Sequence, residues 1–170
     1  MEHASMVHAL SEIRRTLKPN GILIDLRPVE DNWTVEIPSS SDLQIAGRLT
    51  DMPIGIADDA AAFAAMRDVE SRGWFINERS EEFAFFYYWN TPSEMKEWID
   101  AEWDDFEKIE EDVYRKAQSL WASANADARV RVRVKMSITR WRNVIPKGWH
   151  NVLTIYITPS GLGDARHLGL

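Results

Sequence analysis

Apolar residues recur at three- and four-residue spacing near the start of the chain. Met6, Leu10, Ile13 and Leu17 form one side, and Glu12, Arg14 and Arg15 the other. That period predicts an amphipathic helix over residues 4–17. Pro19 and Gly21 end it, because proline cannot continue the hydrogen-bond ladder and glycine accepts positive φ. The pattern then changes. Four of the five residues from Ile22 to Leu26 are apolar, which predicts a strand buried on both faces, as in the interior of an α/β sheet. Trp33, Val35 and Ile37 alternate with polar residues, Pro38 and three serines interrupt, and Leu43 to Leu49 returns. Residues 29–57 therefore read as a β-hairpin insert. Asp58 or Asp59 caps a helix that turns Phe63, Met66 and Val69 inward, runs to Arg72 and stops at Gly73.

Trp74 to Trp89 reads as two strands around a turn at Arg79-Ser80-Glu81-Glu82. In the second strand Phe83, Phe85, Tyr87 and Trp89 share one face, and Ala84, Phe86 and Tyr88 the other. Thr91-Pro92-Ser93-Glu94 is a helix start, with a capping threonine, proline at the first helical position and a glutamate completing a capping box. One long helix follows, its apolar stripe Met95, Trp98, Ile99, Phe106, Ile109, Val113, Ala117 and Leu120, ending near Asn125. From Arg129 to Trp141 the alternation is strict. Arg129, Arg131, Arg133 and Lys135 occupy one face, and Val130, Val132, Val134, Met136 and Ile138 the other. Pro146, Lys147 and Gly148 form a turn, Asn151 to Thr158 pairs back as a last strand, and 159–170 is a tail. No repeat or linker divides the chain. Residues 1–170 are expected to form a single domain, in which 58–158 supplies a helix, an aromatic hairpin, a long acidic helix and a basic hairpin.

Composition narrows the function classes. The 170 residues are 45% hydrophobic and 28% charged, ordinary for a globular domain with its own core. Eight tryptophans imply a large aromatic core. No cysteine is present, which excludes disulfides, thiolate zinc sites and cysteine nucleophiles and fits a cytoplasmic location. No apolar run reaches the roughly 18 residues of a membrane span, and Met1-Glu2-His3 lacks the basic-then-apolar order of a signal peptide. A net charge of −7 argues against nucleic acid as a partner.

Candidate chemistry is sparse. Gly161-Leu162-Gly163 follows an expected strand, but Arg166 stands where the third glycine of a dinucleotide loop belongs, and four residues are too few for the phosphate-binding helix. His3, His8, His150 and His167 show no metal-ligand spacing. No nucleophile elbow is present. The ten carboxylates from Glu94 to Asp112 read as a solvated helix face rather than an acid–base pair. The basic strand following them is expected to be matched by that acidic helix, within the chain or between chains. One face of the aromatic run, with Trp33 or Trp74, is a candidate wall for an apolar small-molecule pocket.

Residues 9–28 carry a family resemblance. Arg15-Thr16-Leu17-Lys18-Pro19-Asn20-Gly21, then Ile22-Leu23-Ile24-Asp25-Leu26 and Arg27-Pro28, resembles the helix before the fifth strand, and that strand, in class I S-adenosylmethionine-dependent methyltransferases. Asn20 replaces the first glycine of the family's Lys-Pro-Gly-Gly, and asparagine also tolerates the left-handed conformation. The later order is similar too: a helix, an aromatic strand ending Trp89-Asn90-Thr91-Pro92-Ser93-Glu94-Met95, a long helix and a basic strand. The resemblance implies an α+β fragment of a Rossmann-like fold, with a mixed, largely antiparallel sheet, a long helix and flanking helices. The family's Gly-rich cofactor loop and the acidic residue ending its second strand lie N-terminal to the matching segment. No residue of this chain is assigned to cofactor binding or catalysis, and S-adenosylmethionine is expected only if that half is supplied.

The resemblance places Asp25 and Arg27 near the family's substrate pocket, and Trp33, Trp74, Tyr87 and Trp89 are the other candidate lining residues. It also implies an unpaired edge. In the family the fifth strand lies between the fourth and the seventh, so without the first four strands Ile22 to Leu26 is open on one side. A homodimer or a complex with another polypeptide is therefore expected, with Ile22, Leu23, Ile24 and Leu26 in the interface. Two other readings stand beside this partner-binding one: half or a truncated form of an active methyltransferase, and a small-molecule binding module using the aromatic face. Calorimetry with S-adenosylmethionine separates the first two, and a deep aromatic cleft marks the third.

Overall fold

The computed structural model describes residues 2–29 and 31–144. The expected last strand Asn151 to Thr158, the turn before it, the tail 159–170, His150, His167 and Gly161-Leu162-Gly163 lie outside the described residues. Within them the protein is α+β. The elements are α1 (His3–Thr16), β1 (Ile22–Pro28), β2 (Thr34–Pro38), β3 (Leu43–Arg48), β4 (Thr50–Asp51), α2 (Pro53–Ser71), β5 (Phe75–Trp89), α3 (Pro92–Glu102), β6 (Glu107–Lys108), α4 (Glu111–Ser123) and β7 (Val130–Asn143).

β7 is the strand on which the sheet is built. The order is β1-β7-β2-β3, and β5 also pairs with β7. β1 runs antiparallel to β7, from Gly21 bonded to Asn143 at one end to Val29 bonded to Lys135 at the other. β2 follows on β7 with Thr34 opposite Arg133 and Glu36 opposite Arg131. β2 and β3 form the expected hairpin, with a bulge between Val35 and Glu36. β4 and β6 make a separate two-stranded ladder.

The contacts gather into two compact units. The first holds the described residues up to Arg27, Ile56–Glu82 and those from Ser137 onward; the second holds Pro28–Gly55 and Phe83–Met136. In the first, Ile13, Leu17, Leu23, Met66, Val69, Phe75 and Trp141 form the core. α1 ends against Asn143, which is fully buried and whose Nδ2 donates to the carbonyls of Arg14, Leu17 and Lys18 at 3.2–3.3 Å. A side-chain amide from the far end of the sequence thus satisfies carbonyls that a helix end leaves open. In the second unit, Val35 and Ile37 of β2 and Val130, Val132 and Val134 of β7 pack with Met95, Ile99, Trp103, Ile109 and Ala117. α4 lies so close to β3 that a Cβ added at Gly47 would sit 2.8 Å from Val113 Cγ2. Bare backbone is what lets the helix approach.

Five expectations are corrected. β5 is one continuous 15-residue strand, not a hairpin turning at Arg79-Ser80-Glu81-Glu82. Pairing with the long β7 overrides the local turn preference, and these polar side chains stay exposed in a strand. The long acidic helix is two helices. α3 stops at Trp103, the Phe106 and Glu107 amides turn back to the Trp103 carbonyl, and 107–108 pairs with 50–51. That break lets Ile109 enter the core beside Trp103, whereas Trp98 of the supposed stripe is 42% exposed. α2 starts at Pro53, five residues before the expected aspartate cap, because proline suits a first helical position. β1 is not buried on both faces: Leu23 and Asp25 are buried while Ile24 is 37% exposed. Finally, the burial parity of β7 changes along its length. Val130, Val132 and Val134 are buried in the second unit, but Thr139, Trp141 and Asn143 in the first, which leaves Ile138 exposed.

Candidate interaction surface

β1 ends the sheet order: one edge bonds to β7, and among the described residues the other edge has no pairing. Leu23 packs into the first core, Ile22 and Leu26 are half-buried, and Ile24 is exposed. Of the four expected interface residues, Leu23 thus belongs to the interior through its side chain.

Asp25 and Arg27 sit two apart on the strand and share a side. Arg27 donates through Nε and Nη2 to the two Asp25 oxygens at 2.9 and 2.6 Å, a bidentate pair with side chains 13% and 9% exposed. The guanidinium lies 5.0 Å from the centre of the Phe63 ring on α2. Its Nη1 is buried with no hydrogen-bond partner among the described residues.

The four aromatic candidates divide. Trp33, Tyr87 and Trp89 come together around Trp103, with ring centroids 5.3, 4.9 and 6.0 Å from it, each edge-on. Trp103 is 3% exposed, so a fourth ring fills the space that the other three enclose. Burial raises the Tyr87 hydroxyl above the usual tyrosine value. Trp74 does not join this group. It belongs to the first unit, where Arg14 and Arg72 each place a guanidinium 5.2 Å from its ring centre. Trp103 was missed although the signal was present: it stands four residues after Ile99 and eight after Met95, beside them on the buried side of α3.

At Arg131 and Arg133 the basic face of β7 meets a carboxylate of β2. Glu36 of β2 lies directly opposite Arg131 and is 3% exposed. Arg131 Nε donates to one Glu36 oxygen at 2.6 Å, and Arg133 Nε to the other at 3.0 Å. Arg133 also donates to Thr34 Oγ1, and Arg131 to the Tyr88 hydroxyl at 3.0 Å. Arg131 stacks 4.2 Å from the centre of the Phe86 ring. Burial alone lowers the arginine's affinity for its proton, but the bonds to Tyr88 and Glu36 and the Glu36 charge outweigh it, and the net shift is upward. In this cluster one carboxylate of β2 holds two guanidiniums of β7 in register. The sequence signal was available in Glu36, an acidic residue inside an alternating strand opposite a basic one.

Among the described residues no three His, Asp or Glu side chains gather as a metal would need. No described helix is long and apolar enough to cross a membrane. No family model, curated protein or solved structure matches the chain.

Proposed function

We propose that this chain is a methyltransferase-like polypeptide, inactive alone, that works by accepting a strand on the outer edge of β1 from a second copy or another polypeptide. The observation that carries this reading is the position of β1. It bonds to the basic strand β7 on one side and ends the sheet on the other among the described residues. In the methyltransferases that residues 9–28 resemble, the fifth strand has the seventh on one side and the fourth on the other. The open side of β1 is where a fourth strand would stand, and an unpaired row of backbone donors and acceptors favours strand addition. S-adenosylmethionine then binds only when the half bearing the Gly-rich loop is supplied. The lack of cysteine fits cytoplasmic work.

Sedimentation at micromolar concentration tests the association, and calorimetry with S-adenosylmethionine tests the cofactor. The expected results are a self-associated or partner-bound chain that Ile24→Lys weakens, and no heat of cofactor binding by the chain alone. A stable monomer that binds S-adenosylmethionine would overturn the reading in favour of a complete enzyme.

A further inference from the structure

The second long edge of the sheet carries its own signal. β5 is paired to β7, and the ten residues from Ile76 to Phe85 are all exposed. Its outer edge has no pairing among the described residues. Proteins guard such edges with charged side chains, proline or bulges; Phe75–Trp89 contains no proline or glycine, and its charges are gathered at its middle. At its middle stands Glu78-Arg79-Ser80-Glu81-Glu82. When a two-fold axis perpendicular to a sheet relates two antiparallel strands, opposed residues share a face, so their numbers differ by an even amount. The axis therefore passes through a residue. At Glu81 or Glu82 it would set a carboxylate against its own copy. At Ser80 it sets Arg79 against the partner's Glu81, twice. The same register opposes Glu78 and the partner's Glu82, but Glu78 is held by Arg140 at 3.1 Å and Arg142 at 2.6 Å. Arg79 and Glu81 now pair with each other along the strand, 75% and 55% exposed, so exchanging partners between copies conserves the ion pair.

We infer that the β5 edge is a homodimer surface on which two copies pair antiparallel about Ser80, with reciprocal Arg79–Glu81 ion pairs. This is independent of the resemblance and of strand β1. The test is sedimentation equilibrium of the full chain. R79E and E81R each place like charges opposite one another and weaken the dimer about tenfold or more. R79E/E81R restores it at unchanged net charge, and an equimolar mixture of the two single variants associates. Ser80→Cys, in a chain with no native cysteine, gives a disulfide-linked dimer on mild oxidation. In an Ile24→Lys chain, where association through β1 is weakened, a dimer remains and R79E and E81R weaken it as they do in the wild type. A wild-type monomer, a dimer indifferent to the charge swaps, or an Ile24→Lys chain that is monomeric would each overturn the inference. The last of these would leave the β1 reading standing.

Discussion

Glu36 shows how a single residue couples two strands. Its two oxygens are taken by Arg131 and Arg133, and its removal would leave two partly buried guanidiniums beside each other without the carboxylate between them. Glu36→Ala is expected to lose about 3 kcal/mol of stability in urea unfolding, within the range for breaking a buried pair from one side. A loss below about 0.5 kcal/mol would mean that water replaces the carboxylate without penalty. Asp127 gives the acid dependence. Its side chain accepts from the Ser40 backbone N–H at 2.7 Å, and hydrogen bonds from Ser40 hold its carboxyl below the usual aspartate value of 3.8. A carboxylate depressed on folding adds stability above its unfolded value and loses it as pH falls through the folded one. The Ser40 amide is therefore expected to titrate with a midpoint below the ordinary aspartate value of 3.8, and Asp127→Ala to abolish that titration.

At the scale of elements, two backbone positions decide local geometry. Asn20, between α1 and β1, has φ of 61°. Asn20→Ala is expected to cost about 1 kcal/mol in thermal unfolding, while Asn20→Gly stays within about 0.5 kcal/mol, because only the former meets the left-handed Cβ clash. Gly47 is the second, since Val113 of α4 rests against its bare Cα. A methyl there meets a stiff branched side chain, so Gly47→Ala should cost about 2 kcal/mol by overpacking. Val113→Ala in the same chain should recover part of that loss, giving a favourable coupling in a double-mutant cycle. Strict additivity would show that the helix does not press on the strand.

At the scale of the whole molecule, β7 carries most of the organisation. It is the hydrogen-bonded neighbour of β1, β2 and β5 and supplies valines to one core and Trp141 to the other. This leaves β1 and β5, like β3 at the other end of the order, with outer edges that no described residue pairs. The β1 and β5 edges differ in character. β1 is short, with Leu23 and Asp25 buried, and suits a strand added from a partner. β5 is long, with its polar centre exposed, and suits a copy of itself. The substitutions Ile24→Lys and R79E read the two separately.

Much of the fold was legible in the residues themselves. The period of Leu10, Ile13 and Leu17, the capping box at Thr91, where Oγ1 accepts from the Glu94 amide, and the alternation from Val130 to Val134 each fix a local element by interactions within a few residues. The site was less legible. Trp33, Tyr87 and Trp89 meet around Trp103, a contact between distant segments, while Ile109 joins the same core because the 106–108 backbone leaves the helix to pair with 50–52. Trp74 was grouped by residue type and lies elsewhere, between two arginines. The turn expected at Arg79 gave way to a strand because a long-range ladder outweighs a local preference. Local sequence thus determined which segments are helix or strand and where most of them stop. Only the tertiary structure decided which side chains meet, since Asn143 with α1 and Arg131 with Glu36 are contacts between residues about a hundred positions apart, and no local pattern encodes them.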